Sequence, residues 1–307
     1  MDFRECIKNN KNILMEGALG ERLKREYKIV FDEFVAMAGL IYERDGASAL
    51  HSLWNEYIEI AREHHLPFIA TTPTRRANCE RVHSSCYSDS IIIDNVSFLR
   101  NIQINSGIEM YIGGLVGCKG DAYTGKGALS EKDAINFHRW TVEQFDKANV
   151  DFLYAGIMPV LSEAAGLAKA IDDTDLPYII SFTIQQDGKL IDGNPIADAI
   201  QYIDDITNNK PVCYMANCVH PTIVYKALCY PFNDTQIVKE RFRGIQGNTS
   251  PLSYAELDGS VDLHCSEPEE FAEEMIKLSH IGKFQIWGGC CGTDNRHMEC
   301  IAQKLGK

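Results

Sequence analysis

The stretch that decides the fold lies between residues 177 and 216: "PYIISFT" (177–183), "IADAIQYIDDI" (196–206) and "PVCYMA" (211–216). The outer two segments are short, apolar and rich in β-branched and aromatic residues, which predicts strands. The middle one repeats apolar residues every three or four positions, which predicts a helix. A strand, a helix and a second strand in this order form the repeating unit of a parallel sheet.

The same alternation extends in both directions. Further strand-like runs are "NILME" (12–16), "PFIAT" (67–71), "MYIGGLV" (110–116), "DFLYAG" (151–156), "RGIQG" (243–247) and "FQIWGG" (284–289), making eight in all. Between them, "LHSLWNEYIEIAREHH" puts Leu53, Tyr57, Ile60 and Ala61 on one helical face, and "SEKDAINFHRWTVEQFDKANV" opens with a Ser cap three residues before Asp133. "SEPEEFAEEMIKLSHIG" begins with Ser and Pro and ends at Gly282. The chain has no Pro/Gly/Ser linker, low-complexity run or internal repeat. This pattern over 307 residues predicts an α/β chain folded as a single (β/α)8 TIM barrel, one domain spanning 1–307, with the active site at the C-terminal strand ends. An open doubly wound sheet is the alternative; it would bring different strand ends together.

Composition narrows the function. A net charge of −13 disfavours nucleic acid and anionic lipid as partners, since both require a positive field. No export signal or membrane-length apolar run is present, so the expected location is the cytoplasm and no membrane partner is expected. Eleven cysteines in reducing surroundings argue for free thiols rather than a disulfide framework. Most are expected to be small buried apolar residues.

The residues that follow each run carry the chemistry. The first is followed by "EGALGERL", the second by "TPTRRAN", the sixth by "NCVHP", the seventh by "NTSP" and the eighth by "CCGT". In a barrel the sixth and eighth strands flank the seventh, with backbones roughly 10 Å apart. Cys218, Cys290 and Cys291 can then share one ion. Neighbouring strand residues point to opposite faces, so Cys290 and Cys291 can both serve only where the chain leaves extended geometry, a departure that Gly288, Gly289 and Gly292 permit. Three thiolates on Zn2+ leave one tetrahedral position open, the layout of a catalytic site, where an incoming thiol loses its proton. Three unrelated buried cysteines, or a strained vicinal disulfide, are the competing readings. His220 precedes Pro221 at a helix start and is read as a cap, and Cys213 as core. Cys6, Cys79, Cys86, Cys118, Cys229, Cys265 and Cys300 show no metal-ligand pattern.

Taken together these residues resemble the homocysteine S-methyltransferase family, zinc-dependent (β/α)8 enzymes. The likeness covers nearly the whole chain and is most specific in the combination of "GGCCGT" (288–293) with "NC" (217–218). Weaker matches are "EGALGERL", "FHRWTVEQFDKANVDFL", "MPVLSEAAGLAKAI" and "GNTS". The resemblance implies Zn2+ as cofactor, Cys218, Cys290 and Cys291 as catalytic metal ligands, and Glu16, Gly17, Asn217, Asn248 and Gly289 as substrate-binding residues. It implies two small-molecule partners, a thiol acceptor such as homocysteine, held as a zinc-bound thiolate, and an onium-type or similar methyl donor. The chain departs from the family at Glu16, where Asp is usual, at Gly156 and Ile157, where a Glu-Thr pair is common, and at Arg75 and Arg76.

Glu16 is the candidate for holding a cationic group; its structural alternative is a cap on the next helix. Trp54 and Tyr123 are aromatic enough for a cation–π face but are read as packing. Two other functions compete: a zinc-binding barrel of the same family that has lost methyl transfer and acts as a binding or sensing protein, and a metal-free barrel using Glu16 and Glu163 as acid and base.

Overall fold

The computed structural model describes residues 2–252 and 266–306, so Cys265 lies outside the described residues. At the centre is a closed barrel of eight strands: β1 Ile13–Met15, β2 Phe68–Thr71, β3 Met110–Val116, β4 Phe152–Met158, β5 Tyr178–Phe182, β6 Cys213–Val219, β7 Phe242–Gly247 and β8 Ile286–Gly289. Each pairs in parallel with the next, and β8 closes on β1 with Ile13 opposite Ile286 and Leu14 opposite Trp287. All eight expected strands are present, and the closed order rules out the open sheet.

The strands read as apolar runs because both of their faces are buried. Ile13, Met15, Phe152, Tyr154, Cys213 and Met215 point into the barrel. Their alternating neighbours, such as Leu14, Leu153, Tyr214 and Trp287, pack against the surrounding helices. The helix Arg44–Glu63 buries the predicted face of Leu53, Tyr57, Ile60 and Ala61, together with Trp54. Each large side chain so buried contributes roughly 1.5–3 kcal/mol. Ser130 caps the helix Glu131–Lys147 by accepting from Asp133 N at 3.2 Å, and Ile196–Ile206 is helical as expected. The helix Pro268–Lys277 is capped by Glu267 rather than Ser266, whose hydroxyl donates instead to Thr249 O at 2.9 Å.

One element stands outside the strand–helix alternation. The short helix Phe3–Asn9 opens with a capping box between Asp2 and Glu5. It stacks Phe3 on Phe152 at 3.9 Å and adds Cys6 and Ile7 to the barrel interior. This seals the end where the strands begin and leaves the opposite end for chemistry. Among the described residues no helix is long and apolar enough to cross a membrane.

Candidate metal centre at the C-terminal strand ends

Cys218, Cys290 and Cys291 converge over the end of β7. Their sulfurs all lie within 4.8 Å of one another, and those of Cys218 and Cys291 are 3.5 Å apart. Thiolates bound tetrahedrally to zinc at about 2.3 Å stand about 3.8 Å apart, so the set fits such an ion with little adjustment. Cys218 is buried while Cys290 and Cys291 are half-buried, which leaves the trio open on one side.

Two backbone departures bring the sulfurs together. After β8 the chain turns at Cys290–Thr293, with Thr293 N donating to Cys290 O at 3.1 Å and Gly292 at φ +82°. A turn with positive φ at its third position favours glycine, so Gly292, rather than Gly288 or Gly289 within the strand, makes the expected departure. The second departure is at Cys218 itself. The β6–β7 register shifts between Asn217 and Val219, and Cys218 occupies the bulge at φ +58°. A bulge re-aims a side chain, and a left-handed non-glycine residue costs about 1–2 kcal/mol, strain of the kind held at functional sites.

The turn is tied on both sides. Cys290 N donates to Gly247 O at 2.7 Å, and Thr249 N donates to Cys291 O at 3.1 Å. The Thr293 hydroxyl donates to Cys290 O at 2.7 Å and accepts from Ala18 N at 3.0 Å. Crowding divides the protons unequally among the thiols. Hydrogen bonds from Cys290 and Cys291 hold Cys218 well below the ordinary thiol range, and the same contacts push those two well above it. The Tyr123 hydroxyl donates to Cys218 Sγ at 3.4 Å, and Asn248 Nδ2 lies 3.9 Å from the same sulfur. A cavity of about 450 Å³ opens beside them, lined by Tyr123, Cys218, His220, Ile223 and Asn248 among others.

The remaining candidates fall into two groups. Asn248 faces the cavity, with its Oδ1 accepting from Ser250 N at 2.9 Å. Asn217 donates to Gln246 Oε1 at 3.1 Å, which also accepts from Tyr154 Oη at 2.8 Å. Glu16 is buried and accepts from Trp54 Nε1 at 2.6 Å, Thr71 N at 3.0 Å and Thr71 Oγ1 at 2.5 Å. Burial raises its pKa from the ordinary 4.5 to about 7 against those hydrogen bonds. It is not a helix cap, since Leu19 occupies that place before Gly20–Arg25. Gly17 and Gly289 are close-approach positions: a Cβ would stand 2.7 Å from Tyr57 Oη at the first and 2.3 Å from Thr293 Oγ1 at the second.

His220 caps the helix Pro221–Cys229, accepting from Thr222 N at 3.3 Å, and burial lowers its pKa to about 4. Cys213 is fully buried core. Trp54 packs as expected but also orients Glu16, and Tyr123, read from the sequence as packing, reaches the sulfurs. The local signal for Tyr123 is an Asp121 turn, whose carboxylate accepts from Tyr123 N at 2.8 Å and Thr124 N at 2.7 Å. Glu163 is a brace for that same loop. Buried completely, it accepts from Lys119 N at 2.7 Å, Leu129 N at 3.3 Å and His138 Nε2 at 3.2 Å. The acid–base reading thereby loses its second carboxylate.

Residues 13–305 match the family model described as homocysteine S-methyltransferase. Among curated proteins, the homocysteine S-methyltransferase YbgG of Bacillus subtilis (strain 168) is 31% identical over 87 residues, a match spanning 28% of each chain. Among solved structures, the homocysteine methyltransferase MmuM from Escherichia coli superposes in its oxidized form with a TM-score of 0.77 at 19% identity, covering 98% of both chains. The metallated form of that protein gives 0.77 at 18% identity, covering 98% of this chain and 99% of the other.

Proposed function

The chain belongs to the homocysteine S-methyltransferase family, and from that premise we propose that it is a zinc-dependent thiol methyltransferase. It moves a methyl group from a small donor, of onium type or similarly activated, to homocysteine or a related thiol. The observation that carries this reading is the convergence of three sulfurs from β6 and β8 beside an open cavity. A structural zinc site would be closed by a fourth protein ligand, and among the described residues the sulfur group has three members.

Cys218, Cys290 and Cys291 would hold the ion. When bound, it supplies a Lewis acid that keeps an acceptor thiol deprotonated at neutral pH. The chain's own contribution is alignment. The acceptor sulfur forms a bond to the methyl carbon as the bond from that carbon to the donor heteroatom breaks, and the donor leaves with the electron pair. Such a displacement needs its three atoms in line, so the walls of the cavity matter more than any general base. Tyr123 and Asn248 hold Cys218 in orientation by hydrogen bonds to its sulfur, and Asn248 presents its amide to substrate. Glu16, with three of its lone-pair directions used, keeps a fourth for a cationic group, and Asn217 Oδ1 can accept nearby. Gly17 and Gly289 let the backbone at the site pack closely against Tyr57 and Thr293.

Zinc per chain, measured in anaerobically purified protein together with methylation of homocysteine, tests the reading. One zinc with turnover in the wild type, and neither in Cys290→Ala, is the expected result. Full activity in the variant would refute it, and zinc binding without methylation of any thiol across a broad donor panel would favour a binding or sensing role.

A further inference from the structure

In an eight-stranded barrel β2 stands across the mouth from β6. Arg75 lies four residues beyond the last residue of β2 and Cys218 lies in β6, so the two approach the centre from opposite sides. The Arg75 backbone is fixed in place. Thr72 Oγ1 and Thr74 Oγ1 lie 2.7 Å apart, the Thr74 hydroxyl donates to Leu115 O at 2.9 Å, and Leu115 N donates to Thr72 Oγ1 at 3.0 Å. Gly117 leaves the space the arginine occupies, because a Cβ there would stand 2.3 Å from Arg75 O and 2.7 Å from its Cγ.

The guanidinium set down in this way has no partner. Arg22, Arg100 and Arg241 all engage carboxylates, whereas Arg75 makes no hydrogen bond or ion pair among the described residues. Its surroundings are acids of the site itself. Burial works against its charge, and the proximity of Tyr123, Cys118, Cys290 and Cys218 favours it.

The opposite sign of charge is poorly supplied. At the end of β4, Gly156 offers no side chain, and a Cβ there would stand 2.7 Å from the ring of Tyr154, whose hydroxyl is tied to Gln246. Glu16 has one lone-pair direction left after three protein hydrogen bonds, and burial opposes its charge. Asp187, a carboxylate that lines the cavity, is exposed. A planar, unpaired guanidinium is matched by a carboxylate, which it takes through two parallel hydrogen bonds.

We propose that Arg75 is a specificity-determining residue that grips the carboxylate of the acceptor thiol, so that the site selects acidic thiols and does not require their amino group. This rests on the thiol-acceptor reading given above.

Three thiols separate the possibilities: homocysteine, mercaptobutyrate, which lacks the amino group, and aminopropanethiol, which lacks the carboxylate. Each is titrated calorimetrically into zinc-loaded wild type, Arg75→Gln and Arg75→Lys, with kcat and KM measured in parallel and zinc content checked for all three proteins. Wild type should bind mercaptobutyrate about as well as homocysteine and both better than aminopropanethiol. Arg75→Gln should weaken both acids by about 10- to 100-fold, in KM more than kcat, and leave aminopropanethiol unchanged. Arg75→Lys should fall between, keeping charge without the fork, and it decides the matter if the Gln variant does not fold. Variants with full zinc that bind both acids as tightly as wild type would overturn the assignment, as would a wild type that rejects mercaptobutyrate. If zinc-loaded wild type binds none of the three thiols, the thiol-acceptor reading itself fails and this inference falls with it.

Discussion

The two sides of the barrel mouth are built differently. On the β6–β8 side the sulfurs sit on strand ends, within or one to two residues beyond a strand, and backbone hydrogen bonds run from Cys290 N to Gly247 O and from Thr249 N to Cys291 O. On the β2–β4 side the groups that face them, Arg75 and Tyr123, ride on loops held by side chains: the Thr72–Thr74 stitch and the Glu163 brace. Atoms that must meet an ion within tenths of an ångström belong on rigid strands, and groups that choose a substrate can stand on loops. On the proposed reading, the difference teaches that chemistry and recognition occupy separate structural layers, so that one can change while the other is kept.

Breaking the loop side should leave the sulfur side intact. The largest effect expected is from Glu163→Ala, which strands two backbone amides and a buried histidine and should cost about 3–5 kcal/mol of stability. Denaturant unfolding measures that loss, and hydrogen exchange should find the amides of Lys119 and Leu129 unprotected while zinc per chain is unchanged. Zinc lost in proportion to stability would mean that the two layers are one.

Glu16 sharpens the comparison through pH. Its carboxyl is raised to about 7 in the folded protein from an ordinary 4.5, so the native state binds the proton more tightly than the unfolded chain does. The stabilisation is therefore full below pH 4.5 and is lost as pH rises through 7, by about 3 kcal/mol. Unfolding free energies at pH 4.5 and pH 8 should differ by about that amount more in wild type than in Glu16→Gln. Parallel pH profiles in the two proteins would show that burial does not raise the pKa of Glu16.

The smallest effect is at the contact between the layers. Tyr123→Phe removes the hydroxyl that reaches Cys218 and should cost about 1 kcal/mol in stability. Partners that orient a metal ligand are worth about 10- to 100-fold in metal affinity, and a single long hydrogen bond to sulfur belongs at the lower end. Competition with a zinc chelator reads this directly, and unchanged affinity would confine Tyr123 to the recognition side.

Much of the molecule was legible from residue order. Short apolar, β-branched runs marked all eight strands, because both of their faces are buried, and a period of three to four marked helices between them, because each buries one face. "GGCC" with "NC" marked the three sulfurs that converge at the barrel mouth, because three thiols at strand ends have few structural uses. The helix Phe3–Asn9 was not foreseen, since its role depends on Phe152 lying far along the chain. Tyr123 reads as packing in the sequence because the Asp121 turn in "DAYTGKG" sets only the local backbone, and it is a carboxylate beyond β4 that braces the loop near Cys218. Likewise "TPTRRAN" gives two arginines and no means of telling which one faces the sulfurs.

Sequence by itself determined the alternation of elements, the barrel and the identity of the three sulfurs, because burial patterns and side-chain chemistry are local properties. Only the tertiary structure decided which groups face one another across the mouth: the left-handed bulge at Cys218, the three donors on Glu16 and the unpaired guanidinium of Arg75. Those depend on closure of the ring, which sets β2 opposite β6 and makes neighbours of residues that no spacing along the chain relates.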